Sequence, residues 1–145
     1  METIYEVQRI RQVVMEETVD RNIVRTPEDG AEIARKFIGD DDREVFFVMC
    51  LNTKNKVVAV HRAHVGSLNA SLVRPADVFK AAILNNAASV IVCHQHPSMD
   101  PSPSREDINV TARLVEVGKM LDIAVLDHLI IGGNTFISLK EKGHI

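Results

Sequence analysis

Two uninterrupted apolar runs constrain the fold of this chain more than any other feature. Val45–Leu51 reads VFFVMCL, and Ser89–Cys93 reads SVIVC. Short runs without polar alternation are typical of strands that are covered on both faces. A predicted helix start precedes each run, at Thr26-Pro27-Glu28-Asp29 and at Arg74-Pro75-Ala76-Asp77. A capping residue, a proline or acidic residues in the first turn favour the start of a helix. The sequence therefore predicts buried strands interleaved with helices.

The remaining elements indicate that the sheet is mixed. Lys56–His64 follows the turn signal at 52–55 and is predicted as the returning strand of a hairpin. A helix is predicted from Ser104 to about Leu121, and two final strands over Ala124–Ile131 and Thr135–Leu139. Because hairpins occur together with strand–helix alternation, the predicted class is α/β or α+β with a mixed sheet.

Composition narrows the functional classes. The 145 residues fit one domain, and the net charge of −3 lacks the basic excess of a dedicated nucleic-acid binder. Cys50 and Cys93 lie inside apolar runs, which favours buried, reduced thiols. No apolar stretch reaches the roughly 18 residues of a membrane span, and the N-terminus is too charged for a signal peptide. These features predict a cytoplasmic location and no membrane association.

The segment with a chemical signal is His94–Asp107, HQHPSMDPSPSRED. Residues two apart in an extended strand project to the same side, so His94 and His96 can direct both imidazoles to one point. Pro97 disfavours a helical conformation at His96 and so helps to keep it extended. The preceding strand is buried, which would hold the pair on a rigid element.

Asp107 completes a set of metal ligands. It falls in the first turn of the helix that begins after Ser104. Two imidazoles and one carboxylate leave one tetrahedral zinc position for water, which is typical of a catalytic zinc site. Each feature alone has a simpler interpretation, namely a surface histidine pair, a helix cap or a proline-rich loop. Their occurrence together after a buried strand favours the metal site.

The same segment resembles the JAMM (MPN-plus) metalloprotease signature, His-x-His-Pro followed by Ser-x-x-Asp, and more closely that of its RadC-like branch. Residues 67–73 (SLNASLV) and 126–132 (LDHLIIG) are also typical of that branch. The resemblance implies a JAB1/MPN fold, a curved mixed β-sheet flanked by helices and related to the cytidine deaminase fold. It also favours a strand in the ambiguous segment Ile4–Glu17. We expect a single domain over residues 1–145, with a strand-like extension at 1–25 and no helix-hairpin-helix domain.

The resemblance also implies roles for individual residues. One zinc ion per chain would be bound by His94, His96 and Asp107. Glu44, just before the run at 45–51, would act as general base on the zinc-activated water, and Ser104 would stabilise the oxyanion. The reaction would be hydrolysis of a peptide or isopeptide amide bond in a peptide or protein substrate. Without the resemblance, Glu44 would be interpreted as a solvated charge at the start of a strand.

Two departures from the branch pattern and two alternatives accompany this prediction. Gln95 replaces the usual Asn, and Met99 replaces the usual Gly, which matters if that position has a positive φ. One alternative is a domain associated with DNA repair that acts on or near nucleic acid, although the charge does not support it. The other is a non-catalytic MPN interaction module, which loss of ligands would indicate. Neither the substrate nor the oligomeric state follows from the sequence.

Overall fold

Eight elements follow one another in the computed structural model, which describes residues 2–8, 11–13, 22–66 and 73–145. The helices are α1 (Pro27–Ile38), α2 (Pro75–Leu84) and α3 (Arg105–Leu121). The strands are β1 (Val45–Leu51), β2 (Val57–Val65), β3 (Ser89–Gln95), β4 (Ala124–Gly132) and β5 (Thr135–Ser138). The helices and strands predicted between Thr26 and Leu139 are thus confirmed, with ends that differ by one or two residues.

The five strands form one mixed sheet in the order β2-β1-β3-β4-β5. Strand β1 runs antiparallel to both β2 and β3, β3 and β4 are parallel, and β5 is antiparallel to β4. The parallel pair is connected through α3, as a parallel crossover requires. This arrangement confirms the predicted mixed sheet flanked by helices.

Both faces of the sheet are covered, which explains the uninterrupted apolar runs. Alternate residues of β1 point to opposite faces. Phe46 and Val48 belong to the core formed with α2 and α3, whereas Phe47 and Met49 belong to the core formed with α1. Every residue of β1 and of β3 is buried. A polar side chain on either strand therefore needs a specific partner.

Two helices begin with reciprocal capping boxes. In α1, Thr26 Oγ1 accepts from the Asp29 N–H while the Asp29 carboxylate accepts from the Thr26 N–H. In α3, Ser104 and Asp107 form the same pair of bonds. Each box satisfies backbone donors that the first turn of a helix leaves without partners. Both helix starts match the sequence prediction.

The N-terminal segment differs from the prediction. Residues 2–8 and 11–13 adopt neither helix nor strand, so the strand predicted for Ile4–Glu17 is absent from the described part of that segment. Positions 9, 10 and 14–17 lie outside the described residues, as do 67–72 of the second segment typical of the RadC-like branch. The domain boundaries stay a prediction. No helix within the described ranges has the length and apolar character needed to cross a bilayer.

Candidate metal centre

The candidate site lies where β3 ends and the chain turns towards α3. His94 is the sixth residue of β3, and His96 follows the strand, where its N–H donates to the Ile131 carbonyl at 2.8 Å. Asp107 is the third residue of α3. The crossover from β3 to β4 brings this first helical turn back to the carboxyl end of β3, the edge at which open α/β sheets commonly bind ligands.

The three predicted ligands converge on one point. His94 Nε2 lies 3.0 Å from His96 Nε2 and 3.1 Å from Asp107 Oδ1, and His96 Nε2 lies 3.4 Å from Asp107 Oδ2. A tetrahedral ion with ligand bonds of about 2.0–2.1 Å needs ligand atoms roughly 3.3–3.4 Å apart. One nitrogen of each histidine and one carboxylate oxygen lie within 4.8 Å of one another, so the group could hold a metal ion after the side chains adjust.

The outer contacts of His96 and Asp107 suit this role. His96 Nδ1 lies 2.7 Å from the Asp100 carbonyl oxygen, which can only accept, so Nδ1 carries the proton. In a neutral ring, Nε2 then keeps its lone pair for a metal. Asp107 Oδ2 accepts the Ser104 N–H at 2.7 Å, which fixes the carboxylate. Backbone groups thus orient two of the three ligands in the way that metal sites usually do.

The ionisation of the group is consistent with cation binding. Burial by itself would raise the pKa of Asp107, but hydrogen bonds with His94 and His96 outweigh it and hold that pKa well below its ordinary value. The hydrogen bond with Asp107 raises the pKa of His96 against the opposing effect of burial, and the charge of Glu44 also contributes. The carboxylate is therefore ionised, and the site attracts positive charge.

Glu44 lies on the same edge of the sheet. Phe46 of β1 pairs with His94 of β3, so the antiparallel register, continued two residues outward, brings Glu44 opposite His96. Glu44 is half-buried, and its carbonyl accepts the Gly66 N–H at 2.7 Å. Its charge acts on His96, as the pKa of that histidine indicates. The catalytic role of Glu44 stays a prediction, but its position next to the ligands is compatible with that role.

Ser104 can donate a hydrogen bond next to the candidate ligands. Its hydroxyl oxygen accepts the Asp107 N–H at 3.1 Å in the capping box. A hydroxyl has one proton to donate as well as lone pairs to accept with, so the cap leaves that proton available. Asp100, by contrast, stabilises the loop, because its Oδ1 accepts the Ser102 N–H at 3.0 Å. Its backbone carbonyl also orients the His96 ring.

Met99 occupies the position where the branch pattern has Gly, and the backbone shows why Gly is usual. Its φ is +68°, a conformation that side chains disfavour. The side chain is 71% exposed and packs beside Gly133. The Met99 backbone also lies so close to Gly132 that a Cβ there would sit 2.6 Å from the Met99 oxygen. The tight loop is thus retained despite the substitution.

Two further residues of the site, His128 and Thr111, were not predicted from the sequence. The structure places His128 Nε2 2.8 Å from His94 Nδ1, and its Nδ1 contacts Thr111 Oγ1. Burial, together with the charge of His94, lowers the pKa of His128 well below its ordinary value. Thr111 could have been found from its spacing, four residues after Asp107 on one face of α3.

Comparison with known proteins agrees with this geometry. A family model described as the RadC-like JAB domain matches residues 24–144. A UPF0758 protein of Halalkalibacterium halodurans is 50% identical over 135 residues, which cover 93% of this chain and 58% of that protein. A UPF0758 protein of Geobacillus thermodenitrificans is 54% identical over 126 residues, or 87% of this chain and 56% of that protein. The chain thus spans somewhat more than half the length of these relatives, and it belongs to the RadC-like JAB domain family.

Proposed function

We propose that this domain is a zinc-dependent hydrolase of the JAMM type that cleaves a peptide or isopeptide amide bond. The observation that carries the proposal is the convergence of His94 Nε2, His96 Nε2 and the Asp107 carboxylate, whose Oδ1 lies 3.1 Å from His94 Nε2 and whose Oδ2 lies 3.4 Å from His96 Nε2. Three protein ligands leave one position of a tetrahedral ion open, as in catalytic zinc sites. Bound zinc would act as a Lewis acid towards water and the substrate carbonyl.

The protein side chains would carry the proton transfers. Glu44, beside His96, would accept a proton from the attacking water and later donate it to the leaving amine, which restores the carboxylate. Ser104 would donate its free hydroxyl proton to the oxyanion that forms as water adds to the carbonyl carbon. The backbone at both positions is held by hydrogen bonds, which limits where each side chain can reach.

The burial of the site supports a confined reaction. His94 and Asp107 are almost completely buried, whereas the side chain of His96 is 15% exposed. Substrate would therefore approach from the side of His96 and Glu44. A largely desolvated site strengthens the interaction of charged groups with a developing oxyanion. The acidic net charge of the chain does not favour nucleic acid as the substrate.

Zinc content provides the first test. We expect about one zinc ion per chain in the wild-type protein, as one four-coordinate site requires, and little or none in His96→Ala. His61→Ala is the matched control, because His61 lies on β2, away from the ligand group, and should leave zinc binding unchanged. Absence of zinc in the wild-type protein, even after zinc is added back, would overturn the proposal.

Peptide cleavage provides the second test. The zinc-loaded protein is incubated with a peptide library, and new termini are identified by mass spectrometry. Glu44→Gln should retain zinc but lose cleavage by roughly a hundredfold or more, the usual contribution of a general base. A Glu44→Gln protein that cleaves at the wild-type rate would exclude the assigned mechanism. Zinc binding without cleavage of any peptide would favour a non-catalytic module.

A further inference from the structure

A second buried histidine and a threonine lie behind His94, on the side of the ring opposite the ligand group. His94 Nδ1 is 2.8 Å from His128 Nε2, and His128 Nδ1 contacts Thr111 Oγ1. Thr111 Oγ1 is in turn 2.8 Å from the carbonyl oxygen of Asp107. All four residues are buried, with at most 2% of each exposed. A continuous chain of hydrogen bonds therefore connects one ligand to the backbone of another.

The donor and the acceptor of each hydrogen bond in this chain can be assigned by starting from the Asp107 carbonyl. The Asp107 carbonyl can only accept, so the single hydroxyl proton of Thr111 is donated to it. Thr111 Oγ1 then has only lone pairs to offer His128, so His128 Nδ1 must carry a proton and donate it. In the neutral form of His128, whose one proton is on Nδ1, Nε2 is consequently an acceptor.

The same reasoning assigns the ring proton of His94, a candidate metal ligand. Because His128 Nε2 accepts, His94 Nδ1 is the donor and carries the ring proton. His94 Nε2 lies 3.1 Å from Asp107 Oδ1, so in the cationic ring it carries a second proton that it donates to the carboxylate. In the neutral ring, whose one proton is on Nδ1, Nε2 keeps a lone pair for a metal. Which nitrogen of a histidine can bind a metal is set by the hydrogen bond that the other nitrogen makes. In this protein the hydrogen bond of His94 Nδ1 depends, through His128, on the hydroxyl of Thr111, which lies one helical turn beyond Asp107.

We propose that Thr111 and His128 are positioning residues that hold His94 in its Nδ1–H tautomer and so prepare Nε2 to bind the metal. The inference rests on the metal site of the proposed function and does not depend on the amide substrate. Phe46 fixes the rings sterically, since it stacks on His94 and meets His128 edge-on at centroid distances of 6.2 and 5.6 Å. Packing alone, however, would place the rings without selecting the tautomer.

Thr111→Val is the most direct test because valine has nearly the shape of threonine but lacks the hydroxyl. Without that acceptor, His128 can move its proton to Nε2 and donate to His94, which would place the His94 proton on Nε2. Thr135→Val is the matched control, since it also removes a hydroxyl that donates to a carbonyl, that of Gly132. Thermal unfolding of both variants shows whether each is folded.

The first readout is the tautomer of His94, measured by proton–nitrogen NMR of the metal-free protein at mildly alkaline pH. We expect Nδ1–H in the wild type and in Thr135→Val, and a shift towards Nε2–H in Thr111→Val. A neutral wild-type His94 ring with its proton on Nε2 and none on Nδ1 would overturn the inference. This readout requires neither metal nor catalysis, so it is independent of whether the proposed hydrolase activity exists.

The second readout is zinc affinity, measured by competition with a chelator. Loss of an outer partner of a ligand commonly weakens metal binding about 10–100-fold, and we expect this range for Thr111→Val and no change for Thr135→Val. His128→Gln, whose amide can both accept from His94 and donate to Thr111, should stay closer to the wild type than His128→Leu. Wild-type affinity in both Thr111→Val and His128→Leu would contradict a positioning role. If Thr111→Val fails to fold, the comparison of the two His128 variants decides.

Discussion

The side chain of Gln95 accepts a hydrogen bond from the N–H of Val45 at 2.9 Å. Its amide group also donates to the carbonyl of Arg43. The two contacts lie on either side of Glu44 in the sequence, so one buried side chain fixes the backbone that carries the proposed general base. Gln95 points away from the histidines because it lies between them on a strand. The residue that separates the two ligands thus anchors Glu44.

Gln95→Ala should therefore destabilise the protein. The Val45 N–H would lose its acceptor in a buried position, which costs about 1–3 kcal/mol. Gln95→Asn keeps the amide on a shorter side chain, and we expect an intermediate loss. Gln8→Ala, at an exposed position, is the control and should change stability by less than about 0.5 kcal/mol. Urea denaturation measures all three, and a Gln95→Ala protein as stable as the control would contradict the anchoring role.

Asp107 has two functions that substitution can separate. Asp107→Asn keeps an oxygen for the Ser104 N–H but removes the charged ligand, so zinc affinity should fall by more than roughly a hundredfold, since loss of a ligand costs more than loss of its outer partner. Ser104→Ala removes the hydroxyl cap, which should cost about 1 kcal/mol of stability, while zinc binding remains. Chelator competition and denaturation are measured on both variants. Equal effects of the two substitutions on zinc affinity would show that cap and ligand cannot be separated.

Met99→Gly should stabilise the protein. Met99 has a φ of +68°, which a residue with a Cβ adopts at a cost of roughly 1–2 kcal/mol. Part of this gain is lost to the greater freedom of glycine in the unfolded chain, so we expect a net gain of about 1 kcal/mol. Met120→Gly makes the same change at an exposed position in the last turn of α3, where φ is negative, and should destabilise by up to about 1 kcal/mol, the cost in a helix interior. In thermal unfolding, Met99→Gly should raise the Tm and Met120→Gly should lower it. A lower Tm for both variants would contradict backbone strain at Met99.

The two cysteines should be unreactive in the folded protein. Burial raises the pKa of Cys50 to about 12, and burial, with the charge of Asp127, raises the pKa of Cys93. Both thiols therefore stay protonated at neutral and mildly alkaline pH, and iodoacetamide should label neither until denaturant is added. In the unfolded chain a thiol ionises near 9.0, so unfolding releases protons above that pH and stability should decrease as pH rises. Stoichiometric labelling of the native protein would contradict this prediction.

The sequence by itself determined the helices and strands and the candidate metal ligands. Apolar runs without alternation identified β1 and β3, and capping residues identified the starts of α1 and α3. His94 and His96, two residues apart on an extended backbone, and Asp107 in a capped first turn could be paired with zinc chemistry. These signals are local, because the period of a strand and the first turn of a helix fix side-chain direction within a few residues. The N-terminal strand was the exception, since its apolar spacing suited both a helix and a strand.

Only the tertiary structure decided what surrounds the ligands. Glu44 lies opposite His96 because β1 and β3 pair in one antiparallel register, and Gln95 reaches Val45 across 50 positions of sequence for the same reason. His128 reaches His94 because β3 and β4 are adjacent and parallel. No local pattern encodes such pairings: they follow from the burial of both sheet faces at once, which selects a single register. The candidate metal ligands can thus be identified from the sequence, whereas the sheet determines which residues orient them.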